Sequence, residues 1–389
     1  MSGATVEPSS SPGAGEAALL AGLPGMGPHR LTAMLDLWSP QEAWARATAG
    51  RADRLHVDGT SLVVDAAGRV DDALLARWRA VGEAADPTAA LAQHRAAGVR
   101  VLLRDHPAYP EPLRDDLEPP AVLFVQGDLA CVDGPRAAVI GTRRCTGTGA
   151  GIARELGRDL AASGVGIVSG LALGIDGAAH RGALDADRGG DAAAPIGVVG
   201  SGLDVVYPAR HGELWAAVAA SGVLLSEAPL GTRPAPWRFP ARNRVIAALA
   251  HVVVVVESHA AGGSLHTVTE AVVRDIPVLA VPGSVRSPAS TGTIQLLADG
   301  CHPVRDATDV LVALGLTSSA SRRGTDPRPP LLGDSAAVLD ALGWEPATLD
   351  HLAVRTGLAL GPLTVALEHL AATGWVVAQG GWFERVAAP

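Results

Sequence analysis

The chain has 389 residues, 48% of them hydrophobic and 18% charged, and a net charge of −9. That length supports two or three domains with cores of their own. The acid excess excludes a generally polycationic nucleic-acid binder, so any such surface must be local. All 31 cationic side chains are arginine, which excludes every lysine-dependent mechanism.

The apolar run Val252 to Val256 is far too short to span a bilayer. The N-terminal Ser9-Ser10-Ser11-Pro12-Gly13 stretch lacks the basic and apolar regions of a signal peptide. Cys131, Cys145 and Cys301 are odd in number and lack metal-type spacing. These features predict a cytoplasmic protein with no membrane association, metal or cofactor.

In chain order, residues 1–16 read as a disordered tail and residues 17–98 as a small helical domain. Within it, Leu23-Pro24-Gly25-Met26-Gly27 fits either a helix-hairpin-helix turn whose amides meet a DNA phosphate or a plain helix–helix turn. Residues 99–316 alternate between strand and helix. Strands are predicted at Ala137–Ile140, Gly166–Ser169, Ile196–Gly200, Val223–Ser226, His251–Glu257 and Pro277–Val281. Helices are predicted at Gly149–Ser163, Ile175–Asp185, Gly212–Ser221, Ala241–Ala250, Ser264–Arg274 and Thr293–Asp299. Unbroken aliphatic strands imply burial on both faces, hence an α/β, doubly wound and mainly parallel Rossmann-like sheet. Residues 317–333 are linker by composition. Residues 334–389 read as helices followed by a hairpin turning at Gln379-Gly380-Gly381-Trp382, the grammar of a winged helix.

Chemistry concentrates in the loops that follow the strands, where ligands of such sheets bind. Ala138-Val139-Ile140-Gly141-Thr142-Arg143-Arg144 runs from a strand through a glycine turn towards a helix, a ready anion site with two arginines. It is neither G-x-G-x-x-G nor a P-loop. Gly170 and Gly174, Gly200 and Gly202, Gly263 with Ser264 and Thr267, and Gly283 with Ser284 recur in the same style after other strands. A second basic element runs from Arg233 to Arg244: Pro229 to Ile246 holds four arginines and no acid, interleaved with Trp237 and Phe239. Arginines gripping backbone beside aromatic faces make a single-strand binder; the plainer alternative is a helix start with core aromatics. Asp176 and Glu257 fit either a carboxylate pair near the strand ends or, more economically, a helix cap and the partner of an arginine.

These motifs resemble those of the DNA-processing protein A (DprA/Smf) family. The resemblance covers about Pro107 to Leu314, through Gly141-Thr142-Arg143, Ser169-Gly170-Leu171-Ala172, Gly174-Ile175-Asp176, Gly200-x-Gly202-x-Asp204-x-x-Tyr207-Pro208, Leu225-Ser226-Glu227, Phe239-Pro240-x-Arg242-Asn243-Arg244, Gly263-Ser264-Leu265-x-Thr267 and Val281-Pro282-Gly283-Ser284. It implies an extended Rossmann-like domain between a helical and a winged-helix domain. It also implies a non-enzymatic homodimer that protects single-stranded DNA and loads RecA onto it during DNA uptake and recombination. Arg143 is implied to grip phosphate, and Arg242, Asn243 and Arg244 to line the strand-binding pocket, with Arg144 and Arg238 in support. Leu173 stands where the family carries a basic residue, and Ile294 where it carries asparagine. The competing expectation is a nucleotide phosphoribohydrolase with Glu257 or Glu270 as its acid. The segment from Ser335 to Pro389 carries a net charge of −3, which predicts a module that binds protein and not a DNA groove.

Overall fold

Aliphatic strands without alternation form the centre of a nine-stranded sheet. The computed structural model describes residues 11–50, 56–57, 60–61, 64–65, 68–186, 192–316, 328 and 330–386. The chain divides into two units, Met1–Thr317 and Ser318–Pro389.

The first unit opens with helices α1 (Ala14–Gly22), α2 (Pro28–Leu35) and α3 (Pro40–Thr48). Two short hairpins follow, pairing β1 (His56–Val57) with β2 (Thr60–Ser61) and β3 (Val64–Asp65) with β4 (Gly68–Arg69). Helices α4 (Asp72–Ala84) and α5 (Pro87–Ala96) lead into β5 (Arg100–Leu103), α6 (Glu111–Arg114) and β6 (Val122–Gly127). The alternating region comprises β7 (Arg136–Ile140), α7 (Gly147–Ala162), β8 (Gly166–Ser169), α8 (Ile175–Asp185), β9 (Ile196–Val199), α9 (Gly212–Ser221) and β10 (Val223–Ser226). It continues through α10 (Arg238–Leu249), β11 (Val252–Val255), α11 (Ser264–Val273), β12 (Val278–Ala280), α12 (Thr291–Ala298), β13 (His302–Pro303) and α13 (Ala307–Ala313).

The sheet order is β13-β12-β11-β7-β8-β9-β10-β6-β5. Every pairing from β13 to β10 is parallel; β6 lies antiparallel to both β10 and β5. From β7 the chain steps outward to β10, and α10 then carries it back to β11 on the other side of β7. The carboxyl ends of β7 and β11 therefore flank a topological switch point, where such sheets bind ligands.

Successive valines of β11 serve opposite faces. Val252 and Val254 pack with Leu156 and Leu160 of α7, whereas Val253 and Val255 pack with Ile246 and Leu249 of α10. Leu20, Met34 and Trp78 of the N-terminal helices share a third core with Val101, Phe124 and Leu224 of the sheet. The segment expected as a helical domain at 17–98 is thus a cover for the sheet face near β5, β6 and β10. Helix α1 begins at Ala14, inside the expected tail, because Ala14 and Gly15 are buried in that contact and Ser11 Oγ accepts from the Leu103 amide at 3.3 Å.

The second unit is a winged helix: α14 (Asp334–Leu342), β14 (Ala347–Thr348), α15 (Leu349–Thr356), α16 (Leu360–Ala372), β15 (Val376–Gln379) and β16 (Trp382–Arg385). Leu339, Leu352, Leu363 and Leu370 are part of its own core. Its hairpin turns at Gly380 and Gly381, both at positive φ, as a tight two-residue turn requires.

Candidate nucleic-acid interface

The loop after β7 is stitched to its neighbours on both sides. The Thr142 amide donates to the Glu257 carbonyl at 2.8 Å, and Thr142 Oγ1 lies 3.2 Å from His259 Nδ1. On the other side the Ile175 amide donates to the Thr142 carbonyl at 3.4 Å. Gly174 is at φ +80°, and a Cβ there would meet the Thr142 carbonyl oxygen at 2.3 Å, so only glycine lets these loops close together. Arg143 and Arg144 remain exposed on this braced turn.

The helix that follows does not supply the expected open anion site. The Glu257 carboxylate already occupies it, accepting from the Thr146 amide at 2.9 Å and the Thr146 hydroxyl at 2.6 Å. Thr146 in turn caps α7 by accepting from the Gly149 amide. An internal carboxylate thus takes the place at the helix N-terminus that a phosphate would fill. Glu257 has no arginine among its bonded partners, contrary to expectation, and is spent on this cap.

Asp176 has the arginine instead. It accepts from the Gly170 amide at 3.1 Å rather than capping its own helix, and burial pushes its carboxyl above the usual range against the opposing charge of Arg242. Arg242 is 7% exposed and donates through Nη1 to the Val198 carbonyl at 2.7 Å. Desolvation pulls its guanidinium down to about 10, still fully charged at neutral pH, with Asp176 opposing the shift. A Cβ on Gly170 would fall 1.7 Å from Arg242 Nη1, so this glycine makes the space for the guanidinium. The two pieces of sequence singled out separately, Ser169–Asp176 and Arg233–Arg244, meet at this buried pair.

Above it lies an open cleft lined by Arg143, Gly170, Leu173, Ser201, Tyr207, Phe239 and Arg242 among others. Helix α10 starts at Arg238, three residues before the predicted start, so Phe239 and Arg242 project from one helix. Tyr207 and Phe239 pack with ring centroids 5.4 Å apart, and Arg143 Cζ sits 4.9 Å from the Phe239 centroid. Arg238 covers Trp237 at 4.4 Å in the same manner. One exposed and one buried arginine, an aromatic wall and glycine loops therefore converge on one opening.

The other predicted residues lie elsewhere. Arg244 is buried with its guanidinium held by Glu227 and the Glu118 carbonyl, so it braces the fold and lines no cleft. Asn243 is buried beside it. Ser264 donates to Ser258 Oγ at 3.0 Å, and Thr267 is buried in the same helix. Gly283 packs on Ser290, and the Ser284 hydroxyl accepts from the Arg286 amide. These four belong to the β11 and β12 loops and are absent from the cleft lining. Leu173 presents an apolar side chain where a cation was expected. Tyr207 and Ser201 line the cleft but were not singled out as site residues; the Gly200-x-Gly202-x-Asp204-x-x-Tyr207 run was the available signal. Glu270, the second candidate acid, pairs with Arg274 at 2.6 Å.

A doubly wound, mainly parallel sheet whose β7, β8 and β9 loops frame an arginine and aromatic cleft, in a chain that also carries a winged helix, defines a Rossmann-like ligand-binding protein with an accessory module. The family model for DNA recombination-mediator protein A matches residues 100–315, and that for the DprA winged helix domain matches residues 323–381. The chain belongs to the DNA recombination-mediator protein A (DprA) family. A putative DNA processing protein DprA from Mycobacterium tuberculosis is 40% identical over 258 residues, 63% of this chain and 64% of the relative, so the match spans slightly under two thirds of that relative's length. DNA processing protein DprA of Bacillus subtilis is 36% identical over 225 residues, covering 58% of this chain and 74% of the relative. The X-ray structure of DprA from Streptococcus pneumoniae matches with a TM-score of 0.60 at 28% identity, over 78% of this chain and 98% of that one.

Proposed function

We propose that this chain binds and protects single-stranded DNA through backbone contacts that do not depend on sequence, and loads RecA onto it in DNA uptake and recombination. The observation that carries the reading is the convergence of Arg143, Arg242, Phe239 and Tyr207 on one cleft beyond the carboxyl ends of β7, β8 and β9. Arg143, exposed at the cleft, grips phosphate, and the aromatic side chains beside it give the bases a face to stack on. The protein works as a cytoplasmic homodimer in which two clefts hold one strand, and it acts without catalysis. Glu257 and Glu270, the acids that a phosphoribohydrolase would need, are engaged in a helix cap and an ion pair.

The test is fluorescence anisotropy with labelled oligo-dT and a matching duplex across a salt series. Single-strand preference with log affinity falling by about 0.7 per log unit of salt for each phosphate gripped supports the reading. Absence of binding at low salt refutes it, and release of base from nucleoside monophosphates would favour the enzyme.

A further inference from the structure

A second, shallow hollow, open to solvent, adjoins the arginine cleft and shares Val199, Gly200 and Arg242 with it. Its depth is apolar, formed by the fully buried Val198 and Val245. Trp237, 48% exposed, stands at its mouth with Arg238 stacked on the indole, and Pro28 of α2 closes another side. One carboxylate, Glu227, opens into it with its side chain 17% exposed. Glu227 Oε1 accepts from Arg244 Nη2, while Oε2 accepts no hydrogen bond among the described residues. The adjacent Ser226 hydroxyl is spent, donating to the Ser201 carbonyl and accepting from the Ala228 amide.

Glu227 is the one carboxylate among the lining residues, which also include Arg238 and Arg242, and it offers the hollow an acceptor for N–H groups. Apolar side chains, an indole and a carboxylate held by an arginine suit a planar base that offers N–H donors. Guanine alone presents two adjacent donors, N1–H and the N2 amino group, which fork onto one carboxylate as an arginine does. We propose that this hollow is a base subsite preferring guanine, filled by a nucleotide of the strand whose backbone lies in the arginine cleft. The inference rests on the single-stranded DNA reading above. Backbone contacts still admit any sequence, and the subsite adds a bias to them. It also gives the N-terminal helices a part in the site, since Pro28 completes the wall.

The experiment uses the full chain and labelled oligo-dT carrying one central dG, dI or dA, compared with dT alone by anisotropy. The dG strand is expected to bind about tenfold tighter than dT, with dI, which lacks the 2-amino group, and dA within about twofold of dT. Trp237→Ala, a change at the exposed mouth, is expected to remove the dG advantage. Equal binding of the dG and dT strands overturns the subsite while leaving single-strand binding intact. Failure of every strand to bind overturns the underlying reading and the subsite with it. Glu227→Gln is expected to remove the dG advantage as well; should it lose its fold through Arg244, the base series on the unaltered chain decides alone.

Discussion

At the scale of single residues, Arg143 and Arg242, the two arginines of the cleft, divide the labour according to burial. Arg143 is exposed, so Arg143→Ala should leave the thermal midpoint within about 2 °C of the unaltered chain. The same change should weaken oligo-dT binding by about tenfold and lower the salt slope by about 0.7. Arg242→Ala should behave differently. Removing the guanidinium takes away the charge that favours the buried Asp176 carboxylate and leaves the Val198 carbonyl without this donor, which costs about 1–3 kcal/mol in a denaturant melt besides any loss of binding. Equal stability for these two variants would refute the division. Leu173 offers the reverse experiment: it lines the cleft without charge, so Leu173→Arg should tighten oligo-dT binding several-fold and steepen the salt slope by about 0.7. An unchanged slope would place residue 173 outside the path of the backbone.

At the scale of elements, the loop between β7 and α7 depends on Glu257 as much as on its own residues. Thr146 caps α7 and is itself held by Glu257, two links in one chain of hydrogen bonds. Thr146→Ala removes both bonds of the hydroxyl, leaving the residue-146 amide on Glu257, and should cost about 1–2 kcal/mol in urea unfolding. Hydrogen exchange should rise first at Gly149 and Ala150, the amides of the first turn. Helix α10 shows the opposite economy, because one element serves two hollows and a structural ion pair. Its start at Arg238 places that side chain and Arg242 four residues apart, one turn along the helix facing the second hollow.

At the scale of the whole molecule, His180 couples stability to pH. It is fully buried between α8 and β9, with Nε2 3.2 Å from the Ile196 carbonyl, and burial pulls its pKa down to about 4. The unfolded chain binds that proton near the ordinary value of about 6.5, the native state only near 4. Stability is therefore complete above about pH 6.5 and falls by about 1.4 kcal/mol per unit as the pH drops towards 4. His94, also lowered by burial, accepts from the Leu230 amide through Nε2 and adds in the same direction. Asp176 and Glu227, raised by burial, act in the opposite direction on acidification. Urea midpoints of the chain and of His180→Gln between pH 7 and 4.5 separate the two, the variant showing the shallower acid loss; parallel curves would remove His180 from the account.

The sequence by itself determined the sheet and its polarity. Val252–Val255 has no polar alternation to place on a wet face, and the helices between strands leave no geometry but parallel crossovers. It also determined that the loops beyond the strand ends carry the chemistry, and that the C-terminal segment is a winged helix, since Gly380-Gly381 permits only a tight turn. What it left open was pairing at a distance. Asp176 and Glu257 are equivalent carboxylates near strand ends, and only the close approach of Gly170 to the Arg242 guanidinium decides which receives the arginine. Arg242 and Arg244, two residues apart on α10, are told apart only by what packs against them: the Val198 carbonyl and the cleft for one, Glu227 and Glu118 for the other. Periodicity records which face a residue takes, whereas a charge is assigned its partner by contacts between segments far apart in the chain, and those exist only once the sheet has closed.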